Sequence, residues 1–164
     1  EVCQEKLGLI PNVLKAYEFS QDRLNGFSGL YNSLMLGPSD LTKAEREMIA
    51  VCVSAENHCF YCLVAHGATL RQLTGDPALA EAIAANYRHA LLDDRHRAML
   101  DFATKITRAS YDIVEADRQL LRDQGFSDPA IWDIAEVASF FNMSNRMASA
   151  IGMKPNADYH GMAR

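Results

Sequence analysis

Cys59, Cys62 and His66 set two thiols and an imidazole at intervals of three and four residues. At about 100° per residue on a helix, Cys62 lies ~60° around from Cys59 and His66 ~40° from Cys62, so all three share one face. A cysteine in the first turn of a helix feels the partial positive charge of unpaired backbone N–H groups, which favours thiolate over thiol and makes the sulfur nucleophilic. Redox or metal chemistry follows from that pattern. Deprotonating a thiol needs a base or a relay within hydrogen-bond reach, and Glu47, His58 and His66 are the nearby candidates.

Whether Glu47 takes part depends on the backbone. In one unbroken helix over 42–73 it would sit about 22 Å along the axis from Cys62, at ~1.5 Å per residue. Only a break near Asn57-His58, folding two helices against each other, returns Glu47 to His66; otherwise Glu47 is a solvated helix residue. His58 divides between a hydrogen bond at helix entry and a role in the site. Cys52 follows Met48 and Ile49 on an apolar face and reads as a small buried thiol, with Cys3 incidental.

The segments that must hold these groups all read as helix. No run shows sustained period-two alternation, so the fold class is all-α. Pro11-Asn12 opens a first helix through about Asn32. Thr42 with Glu45 is a capping box for a second helix running toward Ala55. Asn57 is the break and N-cap for a third, ending near Leu73-Thr74-Gly75. Helices follow from Asp76-Pro77 to Tyr87, from Asp93-Asp94 onward, from Glu115 to Gln124, and from Ser127-Asp128-Pro129 onward. The last carries Ile131, Ile134, Val137, Phe141 and Met147, with Met143, Met147 and Met153 expected in core or subunit gaps and Trp132 expected to bury its ring against a neighbouring helix. Residues 1–153 form one domain and 154–164 a tail that leaves the body.

Composition narrows the classes. With 164 residues and 49% hydrophobic content the chain can bury a core as one domain. A net charge of -5 supplies no basic field for nucleic acid. Apolar runs are short and interrupted by charge, so no membrane span is expected, no signal peptide is legible, and a soluble cytoplasmic protein is the expectation. Apolar faces on several helices predict a homo-oligomer.

Glu47, eleven intervening residues, Cys59-x-x-Cys62 and His66 together resemble the core motif of the alkylhydroperoxidase AhpD-like family, within the carboxymuconolactone decarboxylase superfamily. Glu45-Arg46-Glu47, the stretch from Ser54 through Gly67, and Phe141 through Met147 resemble its peroxidase-related branch. The resemblance implies an AhpD-like helical bundle, homo-oligomeric assembly and thiol-dependent reduction of hydroperoxides by an unidentified thiol reductant. It implies that Cys62 is the attacking thiolate, that Cys59 is proton donor and resolving thiol, and that Glu47 and His66 form a proton relay. The best-known members carry a histidine where this chain has Tyr61, so one relay member is missing or replaced by a phenol. The decarboxylase branch lacks the cysteine pair. No bound cofactor or metal is required.

Three other readings compete. Cys59, Cys62, His66 and either Cys52 or His58 supply four zinc ligands, although a helical C-x-x-C converges poorly on a tetrahedral centre. Gly125 between two helices suggests a DNA-binding unit, but from Ser127 to Met153 only Arg146 is basic, against Asp128, Asp133 and Glu136. An oligomeric redox sensor or scaffold, oxidising at the same pair with little turnover, is the non-enzymatic alternative.

Overall fold

The computed structural model describes residues 8–164. Its α-helices are α1 (Asn12–Ala16), α2 (Gln21–Tyr31), α3 (Lys43–Glu56), α4 (Phe60–Thr74), α5 (Pro77–Asn86), α6 (Asp94–Ala109), α7 (Glu115–Asp123), α8 (Asp128–Ala150) and α9 (Asp158–Gly161). Among the described residues there is no strand. Short polar side chains start the long helices as the sequence predicts: Thr42 and Glu45 close a reciprocal capping box, while Asp76, Asp93 and Ser127 each accept a backbone N–H of the first turn.

Ten consecutive residues of α3, Glu45 through Ser54, are buried, which makes it the axis of the bundle. Helices α4, α5, α6 and α8 pack around it. The main core joins Ile49, Val51 and Val53 of α3 to Leu70, Ile83, Met99, Leu100, Leu121, Ile134 and Phe141. A second, smaller cluster holds Cys59, Tyr61, Cys62, Ala65 and Ala68 of the α3–α4 corner together with Leu9, Ala148 and Tyr159.

Three expectations are corrected. The single helix from Pro11 to Asn32 is two helices, because the chain turns after Ala16 and Ser20 starts again, its Oγ accepting the Arg23 N–H at 3.5 Å. Serine favours a cap over a helix interior, and that local competition wins here. Trp132 is 70% exposed instead of buried against a neighbouring helix, and Met143 and Met147, each 45% exposed, lie outside the core, so that only the subunit-gap reading is left for them. Helix α8 turns Ile131, Ile134, Val137 and Phe141 inward, and at about 100° per residue these three fall near the opposite side. The tail does not leave the body. Tyr159 is buried and Arg71 on α4 donates to the carbonyls of Tyr159 and Met162, both at 2.9 Å.

Both chain segments flanking the bundle meet over the cysteine corner. The Asn12 N–H donates to Asn156 Oδ1 and the Asn12 Nδ2 to the Lys154 carbonyl, while Asn156 Nδ2 donates to the Ile10 carbonyl, each at 2.9 Å. Leu9, Val13, Met153, Tyr159 and Met162 pack beneath this asparagine clasp against the second cluster. Among the described residues no helix is long and apolar enough to cross a membrane.

Candidate active site

Near its start helix α3 carries three consecutive charged residues, Glu45, Arg46 and Glu47, all buried. Buried charges require partners, and each has a different one. Glu45 Oε2 accepts the Thr42 N–H at 2.7 Å, and its Oε1 faces Arg95. Arg46 donates to the carbonyls of Leu34 at 2.8 Å and Gly37 at 3.0 Å, where the segment after α2 ends. Glu47 reaches across to α4: its Oε2 lies 2.7 Å from Nδ1 of His66.

That last contact depends on the corner between α3 and α4. Asn57 ends α3, and His58 adopts the left-handed conformation with φ of 51°. The His58 N–H returns to the Ala55 carbonyl at 3.1 Å and the Cys59 N–H to the Ser54 carbonyl at 2.9 Å. These two bonds define a Schellman ending, and they reverse the chain within one turn. The N-cap of α4 is therefore Cys59, two residues beyond the expected Asn57. His58 itself is exposed, so its contribution lies in its backbone.

Cys59 and Cys62 are each 1% exposed and free. Each sulfur bears on the other's proton. The Cys59 thiol is pulled from its ordinary 9.0 to about 6, first by the Cys62 S–H, against the opposing cost of burial, with further help from the Cys62 backbone N–H, Ser149 and Asn145. The backbone N–H faces the sulfur without closing a full capping bond. Cys62 is pushed up, first by Cys59 and then by burial. Of the two sulfurs, Cys59 at the N-cap is the one whose surroundings favour the thiolate, and Cys62, the expected attacking sulfur, sits one turn further in.

His66 stands one helical turn beyond Cys62 on the same face of α4. Its ring is buried, with Phe141 packed edge-on at 4.6 Å. With Nδ1 bound to the Glu47 carboxylate, Nε2 is the nitrogen left to take or give a proton. Tyr61, the candidate substitute for the missing histidine, is engaged elsewhere: its phenol oxygen accepts the Val13 N–H at 3.1 Å, and burial pushes its pKa up. It fastens α1 to the cysteine corner.

The zinc set does not assemble. Cys52 lies 3.4 Å from Thr104 Oγ1, inside the main core as expected, and His58 faces solvent. Among the described residues no three His, Cys, Asp or Glu side chains converge as a metal site. Sequence reasoning left Asn142 and Asn145 without a role. Asn145 is 0% exposed, donates to Ser54 Oγ at 2.9 Å and accepts from Asn57 Nδ2 at 3.0 Å. Asn57 also donates to Asn142 Oδ1 at 3.0 Å, so α8 is stitched to the corner beneath Cys59. The available signal was a pair of amides three residues apart beside the apolar face of α8.

Fold and site define an all-helical protein that buries two thiols and a carboxylate–imidazole pair at one helical corner. The chain belongs to the carboxymuconolactone decarboxylase family, whose model matches residues 22–105. Among solved structures, an uncharacterized peroxidase-related protein from Silicibacter sp. TM1040 is 64% identical, with a TM-score of 0.98 over 99% of this chain and 85% of its own. A protein from Ralstonia eutropha JMP134, described as an alkylhydroperoxidase AhpD core and an uncharacterized peroxidase-related protein, is 47% identical, with a TM-score of 0.97 over 99% of this chain and 86% of its own. A debrominase at 18% identity and a TM-score of 0.81, over 98% of this chain and 85% of its own, shares the fold alone. No curated protein matches the chain.

Proposed function

We propose that this protein is a thiol-dependent peroxidase that reduces organic hydroperoxides through Cys59 and Cys62, with Glu47 and His66 as the proton relay. The 2.7 Å contact between Glu47 and His66, made across the α3–α4 corner beside a buried dithiol, carries the reading.

The resting pair holds one negative charge and one proton. Transfer of the Cys62 proton to Cys59 creates the attacking thiolate at Cys62, next to His66. Its sulfur bonds to the terminal peroxide oxygen as the O–O bond breaks, and the leaving alkoxide takes the Cys59 proton to depart as alcohol. Cys62 is then a sulfenic acid and Cys59 a thiolate. Attack of Cys59 on Cys62 forms the disulfide and expels hydroxide, which the relay protonates to water. A thiol reductant returns both sulfurs to the starting state.

Peroxide consumption with a dithiol reductant tests the activity. Turnover proportional to enzyme, lost on alkylation of the pair, is expected. A protein whose pair oxidises reversibly but consumes no more than one equivalent of peroxide would instead be the redox-sensing alternative.

Assembly into homo-oligomers belongs to the same proposal, supported by the apolar stripe of Trp132, Met143 and Met147 left open along α8. Sedimentation at micromolar concentration should give a multiple of the 18.2 kDa chain mass. A single species at the chain mass overturns it.

A further inference from the structure

We propose that the segment 153–164 is a gate over Cys59 and Cys62, hinged at Gly152 and latched by Arg71, which lifts before peroxide, reductant or an alkylating reagent reaches the sulfurs. The inference rests on the dithiol reading above and adds how that site is entered.

A thiol reductant must bring its own sulfur onto the disulfide, and a peroxide must touch the attacking thiolate. Both sulfurs are 1% exposed, so a cover has to move. The cluster around them is closed by α4 itself, by Ala148 on α8, and by the two segments that carry Leu9, Val13, Met153, Tyr159 and Met162. Helices α4 and α8 also build the main core, through Leu70, Ile134, Val137 and Phe141, so shifting either one breaks the bundle. The 153–164 segment contributes nothing to that core. Of residues 154–164 only Tyr159 is buried, and α9, four residues long, is too short to hold itself together.

The ties of the segment suit a gate. Gly152 follows α8 with φ of 65°, in the left-handed region that glycine enters freely, and nothing lies within 4 Å of where a side chain would begin. The clasp bonds to the Lys154 and Ile10 carbonyls are exposed, so water replaces a lost partner at little cost. Arg164 and Glu81 form an exposed ion pair at 3.0 Å, a weak hold for the same reason. Arg71 is the stronger one. It is 5% exposed, and its Nε and Nη2 donate to the carbonyls of Met162 and Tyr159, both at 2.9 Å. These acceptors are neutral: lifting the segment parts no opposite charges there and returns water to the guanidinium.

Alkylation of the reduced protein by iodoacetamide, with peptide mapping of Cys59 and Cys62, reads the gate without peroxide. Arg71→Met keeps an apolar stem on α4 and removes both donors, so the pair should react about tenfold faster or more, the scale of hydrogen bonds from a charged donor. Asn156→Ala, at the clasp, should give a smaller rise of about two- to fivefold, and it decides the matter if Arg71→Met does not fold. Ser127→Ala takes the cap from the far end of α8 and should leave the rate within about twofold of the wild type. In the wild type, the Tyr159 and His160 amides should exchange hydrogen well before that of Ile49 in the main core. A rate unchanged in both gate variants, an equal rise in Ser127→Ala, or Tyr159 and His160 amides protected as long as that of Ile49 overturns the proposal. A gated pair that consumes no peroxide sinks the peroxidase reading alone, and peroxide turnover with alkylation indifferent to the gate variants sinks this proposal alone.

Discussion

Glu47→Gln should lower peroxide turnover by about 10²- to 10⁴-fold in a protein that still folds, a loss on the scale of a positioned acid–base group. Glutamine matches the shape of glutamate, and its carbonyl oxygen can still accept from His66 Nδ1, now at 2.7 Å from Glu47 Oε2. What it removes is the negative charge that faces the imidazole. His66→Ala is the harsher change, because it leaves a carboxylate that is only 4% exposed without its hydrogen-bond partner; an unsatisfied buried polar group costs about 1–3 kcal/mol, and more when charged. The two variants together separate chemistry from stability: a thermal melt should barely respond to the glutamine and drop for the alanine, while turnover falls in both. Full turnover in a folded Glu47→Gln protein would reduce the contact to a structural one.

Changes at the sulfurs should be larger still. Cys59 is pulled down from 9.0 to about 6, so the reduced wild type should show thiolate absorbance at neutral pH that is lost on acidification. Cys62→Ala removes the S–H that is the first cause of the low value, and the Cys59 midpoint should climb toward the ordinary 9.0. In Cys59→Ala the first cause of the raised Cys62 value is gone, so Cys62 should titrate lower than in the wild type while burial still holds it up. Either substitution should abolish multiple turnover, roughly 10³-fold or more, since no disulfide can close. Cys59→Ser should accumulate a sulfenic acid at Cys62 that a sulfenic-acid-selective probe captures and mass spectrometry locates. Its appearance at Cys59 in Cys62→Ser, with none in Cys59→Ser, would transfer the attacking role to Cys59.

Much of this site can be read in the chain because its determinants are local. The capping box at Thr42 and Glu45 and the caps at Asp76, Asp93 and Ser127 are short-range hydrogen bonds whose partners sit three residues away, so the helix starts follow from residue type alone. The juxtaposition of Glu47 with His66 was conditional on a reversal near Asn57, and the structure supplies it through a left-handed His58, a residue type that accepts that conformation more readily than most. Other features depend on partners far away. The position of Asn145 beside the cysteines requires α8 to pack on the α3–α4 corner, a contact across 88 residues to Asn57. Tail docking likewise needed Arg71 to present spare donors to carbonyls 88 and 91 residues on. Trp132 was misplaced because a large aromatic ring is buried on average, while here the phase of α8 decides.

The asparagine clasp joins Asn12 to Asn156 across 144 positions, and its consequence falls during synthesis. A ribosome that has released the α3–α4 corner must still add about 100 residues before Met162 can close the roof, an interval of roughly 5–20 s at ~5–20 residues per second. Throughout that time the emerging chain presents thiols that the finished protein hides. An oxidant or a metal ion meeting the nascent chain therefore finds thiols far more open than the finished corner leaves them, and reducing power matters most for this protein when it is youngest.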